Sequence, residues 1–229
     1  MQPHYLGVDI AGYRKTWMCG LTLRDGKLVL AETLRRGSLE DIVKYTEEKQ
    51  VVAVAIDAQL TWAASEARGF RSSDKELRKM LPYECQNWVA SQNSLAAVPV
   101  RGRQLAEILS PTVGTIIETH PRACLYFANR SLLELVKLYK KPNGEEHARK
   151  LWEAWTDRFS IDTTLSSASD FTDDALDALV CAKIGYLFHN SPQQLWRLSH
   201  SAVDKRGRGP FLVSLPDWES ELVGRDGSV

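Results

Sequence analysis

The sequence predicts an α/β fold, a mixed sheet flanked by helices, and three observations carry that expectation. The run Tyr5–Gly12 is short and near-continuously apolar, the pattern of a strand buried on both faces, yet it holds one acid, Asp9. Two extended runs, Thr16 to Leu23 and Lys27 to Thr33, flank Asp25-Gly26, which is a hairpin signal. A third run, Val51-Val52-Ala53-Val54-Ala55-Ile56, is β-branched at many positions, too short to favour a helix, and ends at Asp57.

Between the hairpin and that run, Ser38 with Asp41 three positions on resembles a capping box that opens a helix reaching about Lys49. A helical crossover lets the strand ending at Asp57 lie parallel to the first. Beyond Asp57, residues 58–72 read as a loop. Ser73 with Glu76 caps a short helix through Leu81, which Pro82 stops. The stretch 83–103 gives no clear pattern, and Gln104 to Leu109 reads as a short helix. Thr112 to Ile117 reads as another strand running into an acid, Glu118, and His120-Pro121 opens a helix, since proline suits a first turn. Leu132 to Tyr139 is helical in pattern. So is Glu145 to Phe159, with Leu151, Trp152, Trp155 and Phe159 on one stripe. These helices are expected as an insert at about 120–160. Thr172 then caps the last core helix, which runs to about His189, and Phe211 to Leu215 is expected as a final edge strand. The reading is one domain over residues 1–218 and a mobile tail over 219–229.

Bulk composition narrows the classes. With 229 residues, 44% apolar and 25% charged, the chain is an ordinary globular sequence long enough to bury a sizeable core. Lys+Arg and Asp+Glu both total 29, which argues against a surface wholly devoted to nucleic acid and leaves room for a local basic groove. Cys19, Cys85, Cys124 and Cys181 are far apart, stand among apolar neighbours and form no ligand spacing, so they read as reduced core thiols. No segment has the length of a membrane span, and Met1-Gln2-Pro3-His4 does not open a signal peptide. A cytoplasmic location is expected.

The chemistry lies in the acids. Ligands of open α/β sheets bind beyond the carboxyl ends of strands, where Asp9, Asp57 and Glu118 stand, and a buried carboxylate is costly unless it meets water, a partner or a metal. Asp177, between Leu176 and Ala178 one turn into the last helix, lies where no cap needs it. Asp173 and Asp174 sit in the first turn, where the helix dipole favours acids anyway, and the same dipole argument gives Glu118 a structural alternative beside the helix that follows it. Asp9 and Asp57 also have the plainer alternative of ending a strand. Should these groups converge, an all-oxygen site results that suits Mg²⁺ or Mn²⁺ and, with two ions, phosphodiester hydrolysis.

Gly7-Val8-Asp9-Ile10-Ala11, Ala55-Ile56-Asp57-Ala58, Arg71 with Asp74 and Leu77-Arg78, Glu118-Thr119-His120-Pro121 and Asp173-Asp174-Ala175-Leu176-Asp177-Ala178-Leu179 together resemble domain-of-unknown-function family 429, described as predicted RNase H-like nucleases. The last motif is also similar to the acidic helix of RuvC-type resolvases. The resemblance covers roughly residues 5 to 190. It implies an RNase H-like fold with a five-stranded mixed sheet in order 3-2-1-4-5, and divalent metal between the first strand, the fourth strand and the C-terminal helix. Gln59 departs from the family's usual proline, which bears on the loop beside Asp57.

The resulting expectation is a metal-dependent nuclease acting on DNA or RNA with two Mg²⁺ or Mn²⁺ ions. Asp9, Asp57, Asp174 and Asp177 are the expected metal ligands, Glu118 a supporting catalytic acid, and Arg71 and Arg78 the groups holding the scissile phosphate. Arg101, Arg103, Lys205, Arg206 and Arg208 are candidates for backbone contacts. Two other classes compete. An actin-like or sugar-kinase-type ATP-dependent phosphotransferase would carry a glycine-rich phosphate turn after the first strand, and Ala11–Thr16 is poor in glycine. A non-catalytic binding module for nucleic acid or protein would have no use for the acids.

Overall fold

Strand β1 (His4–Asp9) lies at the centre of the sheet, paired antiparallel with β2 (Thr16–Arg24) on one side and parallel with β5 (Val51–Asp57) on the other. In this computed structural model, residues 2–12, 15–63, 68–95, 97–164, 172–199 and 208–217 are described. Asp25 and Gly26 take φ values of 52° and 76°, the left-handed pair of a tight hairpin turn, and deliver β3 (Lys27–Leu30) back onto β2. A short β4 (Arg35–Gly37) also pairs with β2. Helix α1 (Leu39–Glu48) opens on the expected capping box: the Ser38 N–H donates to Asp41 Oδ2 at 2.7 Å, and the Asp41 N–H to Ser38 Oγ at 3.2 Å.

The chain continues through α2 (Ser72–Met80), a 3₁₀ turn at Tyr83–Trp88, α3 (Gln92–Leu95) and α4 (Ala97–Leu109) to β6 (Thr115–Thr119), parallel to β5. Then come α5 (Pro121–Ala128), α6 (Leu133–Leu138), α7 (Glu145–Phe159), β7 (Ile161–Asp162), α8 (Asp173–Asn190), β8 (Leu195–Arg197) and β9 (Phe211–Ser214). The fold is a mixed α/β one, a mixed sheet with helices on its faces. The sheet is larger than the five strands expected. Its order is β7-β3-β2-β1-β5-β6-β9-β8 with β4 beside β2, because short segments extend both edges. For the same reason β9 is not an edge strand: β8 covers it antiparallel. The α2 cap also differs from the expected Ser73–Glu76 pair. The N-cap is Arg71, whose backbone N–H donates to Asp74 Oδ2 at 2.9 Å, while Glu76 accepts from Trp196 Nε1 at 3.0 Å and from the Ser199 N–H at 2.8 Å.

Strand parity sorts the core into two layers. Leu6, Val8, Val54, Ile56 and Ile116 point to the side covered by α1 and α4, where they meet Ile42, Leu105 and Leu109. Tyr5, Cys19, Leu21, Ala53, Ala55 and Ile117 point to the other side, where α5, α7 and α8 supply Phe127, Trp152, Leu179 and Ile184. Helix α8 is buried nearly all round, including Asp177 and most of Lys183. The four cysteines are buried and unpaired, as expected. No helix among the described residues is long and apolar enough to cross a membrane.

Candidate functional site

Two features of the backbone bring three acids together. In the parallel β1/β5 pair Asp9 stands directly opposite Asp57, so both side chains leave the sheet on the α8 face, at the carboxyl ends of their strands. Helix α8 begins at Thr172, whose hydroxyl accepts from the Ala175 N–H at 3.1 Å, and it crosses β1 at Gly7. A Cβ on Gly7 would stand 2.0 Å from the Ala178 carbonyl oxygen and 2.2 Å from the Ala182 nitrogen. Only a residue without a side chain lets the helix backbone rest on the strand, and this close approach carries Asp177 down to Asp9. Carboxylate oxygens of Asp9, Asp57 and Asp177 all lie within 4.8 Å of one another.

Burial is the main electrostatic fact here, since it disfavours the charged form of each carboxylate. It drives Asp9 well above the usual carboxylate range, and the neighbouring Asp177, Asp57 and Asp174 add to the rise, against the counter-charge of Lys140. Asp57 is pushed up to about 7 by the same burial, with Asp177 and Glu118 adding and Lys140 opposing. Asp177 is raised by burial, though less freely. The Tyr139 hydroxyl donates to its Oδ1 at 2.9 Å, and Lys140 Nζ pairs with its Oδ2. Burial alone would lower the Lys140 pKa, but Asp177, Tyr139, Asp9 and Asp57 outweigh it and raise the value well above that of an ordinary lysine.

A second buried network stands behind the first. All five N–H donors of the fully buried Arg71 are spent inside the protein. Nε donates to Asp74 Oδ2 at 3.1 Å, Nη1 to Thr61 Oγ1 at 2.8 Å and to Glu118 Oε2 at 2.7 Å, and Nη2 to Asp74 Oδ1 at 2.6 Å and to Glu118 Oε1. The expectation that Arg71 holds a phosphate is therefore corrected: no donor remains for one. Glu118 lines the same cavity as Asp9 and Asp57 but is placed differently. It pairs with Ile56 in register and so leaves the sheet on the face opposite Asp57, where Arg71 and the Leu60 N–H, at 2.8 Å, occupy its oxygens. Gln59 joins this network, donating to Asp74 Oδ2 at 3.3 Å and to the Ala90 carbonyl at 3.1 Å, so the loop after Asp57 is fastened to the base of α2.

The remaining expected residues are dispersed. Asp174 lies one turn before Asp177, partly exposed and with its pKa raised by burial, outside the cluster of three. Arg78 Nη1 donates to the Gln86 and Val89 carbonyls at 2.8 and 2.9 Å, bracing the 3₁₀ turn instead of facing the acids. Arg103 stacks on the half-exposed Trp62 ring at 3.7 Å, and Arg208 pairs with Glu107, its Nε 3.0 Å from Oε2. Arg101 Nε is buried with no hydrogen-bond partner. Lys205, Arg206 and the tail from 219 lie outside the described residues.

Four residues at the site went unforeseen. A cavity of about 270 Å³ opens beside Asp9 and Asp57, walled also by His120, Arg122 and Lys140. His120 is held neutral there. Its Nδ1 accepts from the Ala123 N–H at 3.3 Å, its Nε2 faces the Trp88 carbonyl at 3.2 Å, and burial takes its pKa down to about 4. Arg122 donates to the Val136 and Lys137 carbonyls at 3.1 and 2.9 Å, fixing the end of α6 from which Tyr139 and Lys140 project. In sequence Tyr139-Lys140 is an ordinary helix end before a turn, and nothing local signals its distant partner.

The fold and site together define an α/β protein with an acidic cluster at the carboxyl edge of two adjacent parallel strands. Residues 7–110, a stretch that holds Asp9, Asp57 and Arg71, match a family model described as "Protein of unknown function (DUF429)". No curated protein and no solved structure matches the chain.

Proposed function

We propose that this protein is a divalent-metal-dependent nuclease that hydrolyses phosphodiester bonds of DNA or RNA. The observation that carries the reading is the convergence of Asp9, Asp57 and Asp177 from two neighbouring strands and a helix into one cluster of carboxylate oxygens beside a cavity. A donor set made of carboxylates suits Mg²⁺ or Mn²⁺ rather than Zn²⁺. The order of the central strands supports an RNase H-like core. Counted in their own order of appearance without the short β4, the strands β3-β2-β1-β5-β6 run 3-2-1-4-5.

Each residue has a physical part in this reading. Asp9 and Asp57 are fixed by paired backbone at strand ends, so their carboxylates are preorganised. Tyr139 and Lys140 hold Asp177 in one orientation. The Arg71–Asp74–Glu118 network keeps the β5 and β6 ends and the loop after Asp57 from moving apart. A bound divalent ion supplies an activated water and charge stabilisation at the phosphate. The cavity beside the cluster gives a phosphate group access from the side of His120 and Arg122.

The test is incubation of purified protein with Mn²⁺ or Mg²⁺ and single-stranded, duplex, hybrid and branched DNA and RNA. Cleavage that Asp9→Asn and Asp177→Asn abolish supports the reading. A panel left intact with both metals refutes it.

A further inference from the structure

We infer that the Lys140 ammonium fills the place of one divalent ion, so that the Asp9–Asp57–Asp177 cluster takes a single ion and not a pair. This rests on the metal-site reading proposed above. It concerns how many ions the site accepts and what decides that number.

Three observations carry it. First, Lys140 Nζ pairs with Asp177 Oδ2, and Lys140 lines the same cavity as Asp9 and Asp57, so the ammonium is a cation already held against the acidic cluster. Second, the placement is built. The preceding residue, Tyr139, is 2% exposed and donates to the other oxygen of Asp177. Arg122 ties the last turn of α6 to α5 through the Val136 and Lys137 carbonyls. Both oxygens of Asp177 are therefore engaged by consecutive residues of one anchored segment. Asp177 is then not free to bridge two ions about 4 Å apart, the separation of a two-metal site. Third, the charges close on one ion. Three carboxylates facing one ammonium leave two negative charges, which a single divalent ion cancels. A second ion would leave the cluster two charges positive, and Asp174, one turn away on α8, is partly exposed and outside the cluster of three. The two other basic side chains on the cavity wall cannot take the same part: His120 is engaged through both ring nitrogens and Arg122 donates to backbone carbonyls.

The experiment is a count of bound Mn²⁺ per folded chain, by isothermal titration calorimetry and by the electron-paramagnetic-resonance signal of free Mn²⁺. It compares the native protein with Lys140→Met and Lys140→Arg, each checked for folding by circular dichroism. The expected result is one ion on the native protein and on Lys140→Arg, and two on Lys140→Met. Two ions on the native protein, or one on a folded Lys140→Met, overturns the inference while leaving the metal site standing. If Lys140→Met does not fold, the native count decides: one ion supports the inference and two overturn it. No saturable Mn²⁺ binding by any of the three overturns both this inference and the metal reading.

Discussion

Adding one methyl group at Gly7 is expected to damage stability and metal binding together. The Cβ of Gly7→Ala would lie 2.0 Å from the Ala178 oxygen, 2.2 Å from the Ala182 nitrogen and 2.9 Å from the Ala182 Cα, all backbone atoms that no rotamer change can move aside. Restoring ordinary contact requires α8 to lift from β1 by about 1.5 Å. Overpacking a core by one such group costs about 1–3 kcal/mol, and with main chain on the receiving side the loss belongs at about 3 kcal/mol. For a chain of this size that is a melting-temperature drop of about 10 °C. Asp177 is the residue before Ala178, so the same lift draws its carboxylate away from Asp9, and Mn²⁺ affinity should fall by at least about tenfold. Urea denaturation followed by tryptophan fluorescence, with Mn²⁺ titration of the folded variant, measures both effects. A Gly7→Ala protein within 1 kcal/mol of the native one and with unchanged affinity would refute the claim that this close approach sets the site.

Other substitutions follow from the same structure. Arg71→Met leaves Asp74 and Glu118 buried without their counter-charge and should cost about 3–5 kcal/mol in urea denaturation at pH 7; a loss under 1 kcal/mol would contradict the network's role. Lys183, 4% exposed on α8 over the Phe159 and Tyr186 rings, has its pKa lowered by burial to about 8, so folding is penalised below that pH and the penalty fades as pH rises toward 10.5. Lys183→Met should therefore gain about 2 kcal/mol at pH 7 and less at pH 9.5; an equal gain at both would exclude this cause. Asp57 is raised by burial to about 7, so its stabilising contribution to the metal-free fold is complete at acid pH and lost as pH rises through 7. Mn²⁺ should then raise the melting temperature more at pH 8 than at pH 5.5, and the reverse order would contradict the assignment.

The sequence discloses whatever is written in local pattern. Asp9 and Asp57 stand out because each interrupts or ends an apolar run, Asp25-Gly26 because its turn needs two left-handed residues, and Asp177 because an acid among helical apolar residues has no capping job. What stays hidden depends on register and distant partners. Glu118 looks like Asp57, an acid at the end of a strand, but pairing opposite Ile56 turns it to the other face, and only the β5/β6 register decides that. Arg71 reads as a free cation until Asp74 and Glu118, three and 47 positions away, are seen to absorb it. The early start of α4 is masked by Pro99 and Gly102, both of which punctuate loops in sequence. Here Pro99 falls in the first turn, where its missing N–H is harmless, and Gly102 packs against Ala58. Strands as short as β7 and β8 carry too few residues for any periodicity to show.

Diffraction at the manganese absorption edge from crystals grown with MnCl₂ tests the proposed centre most directly. The expected result is an anomalous peak about 2.2 Å from carboxylate oxygens of Asp9 and Asp57, on the α8 face of the sheet. Peaks confined to surface acids, with none beside Asp9, would contradict it.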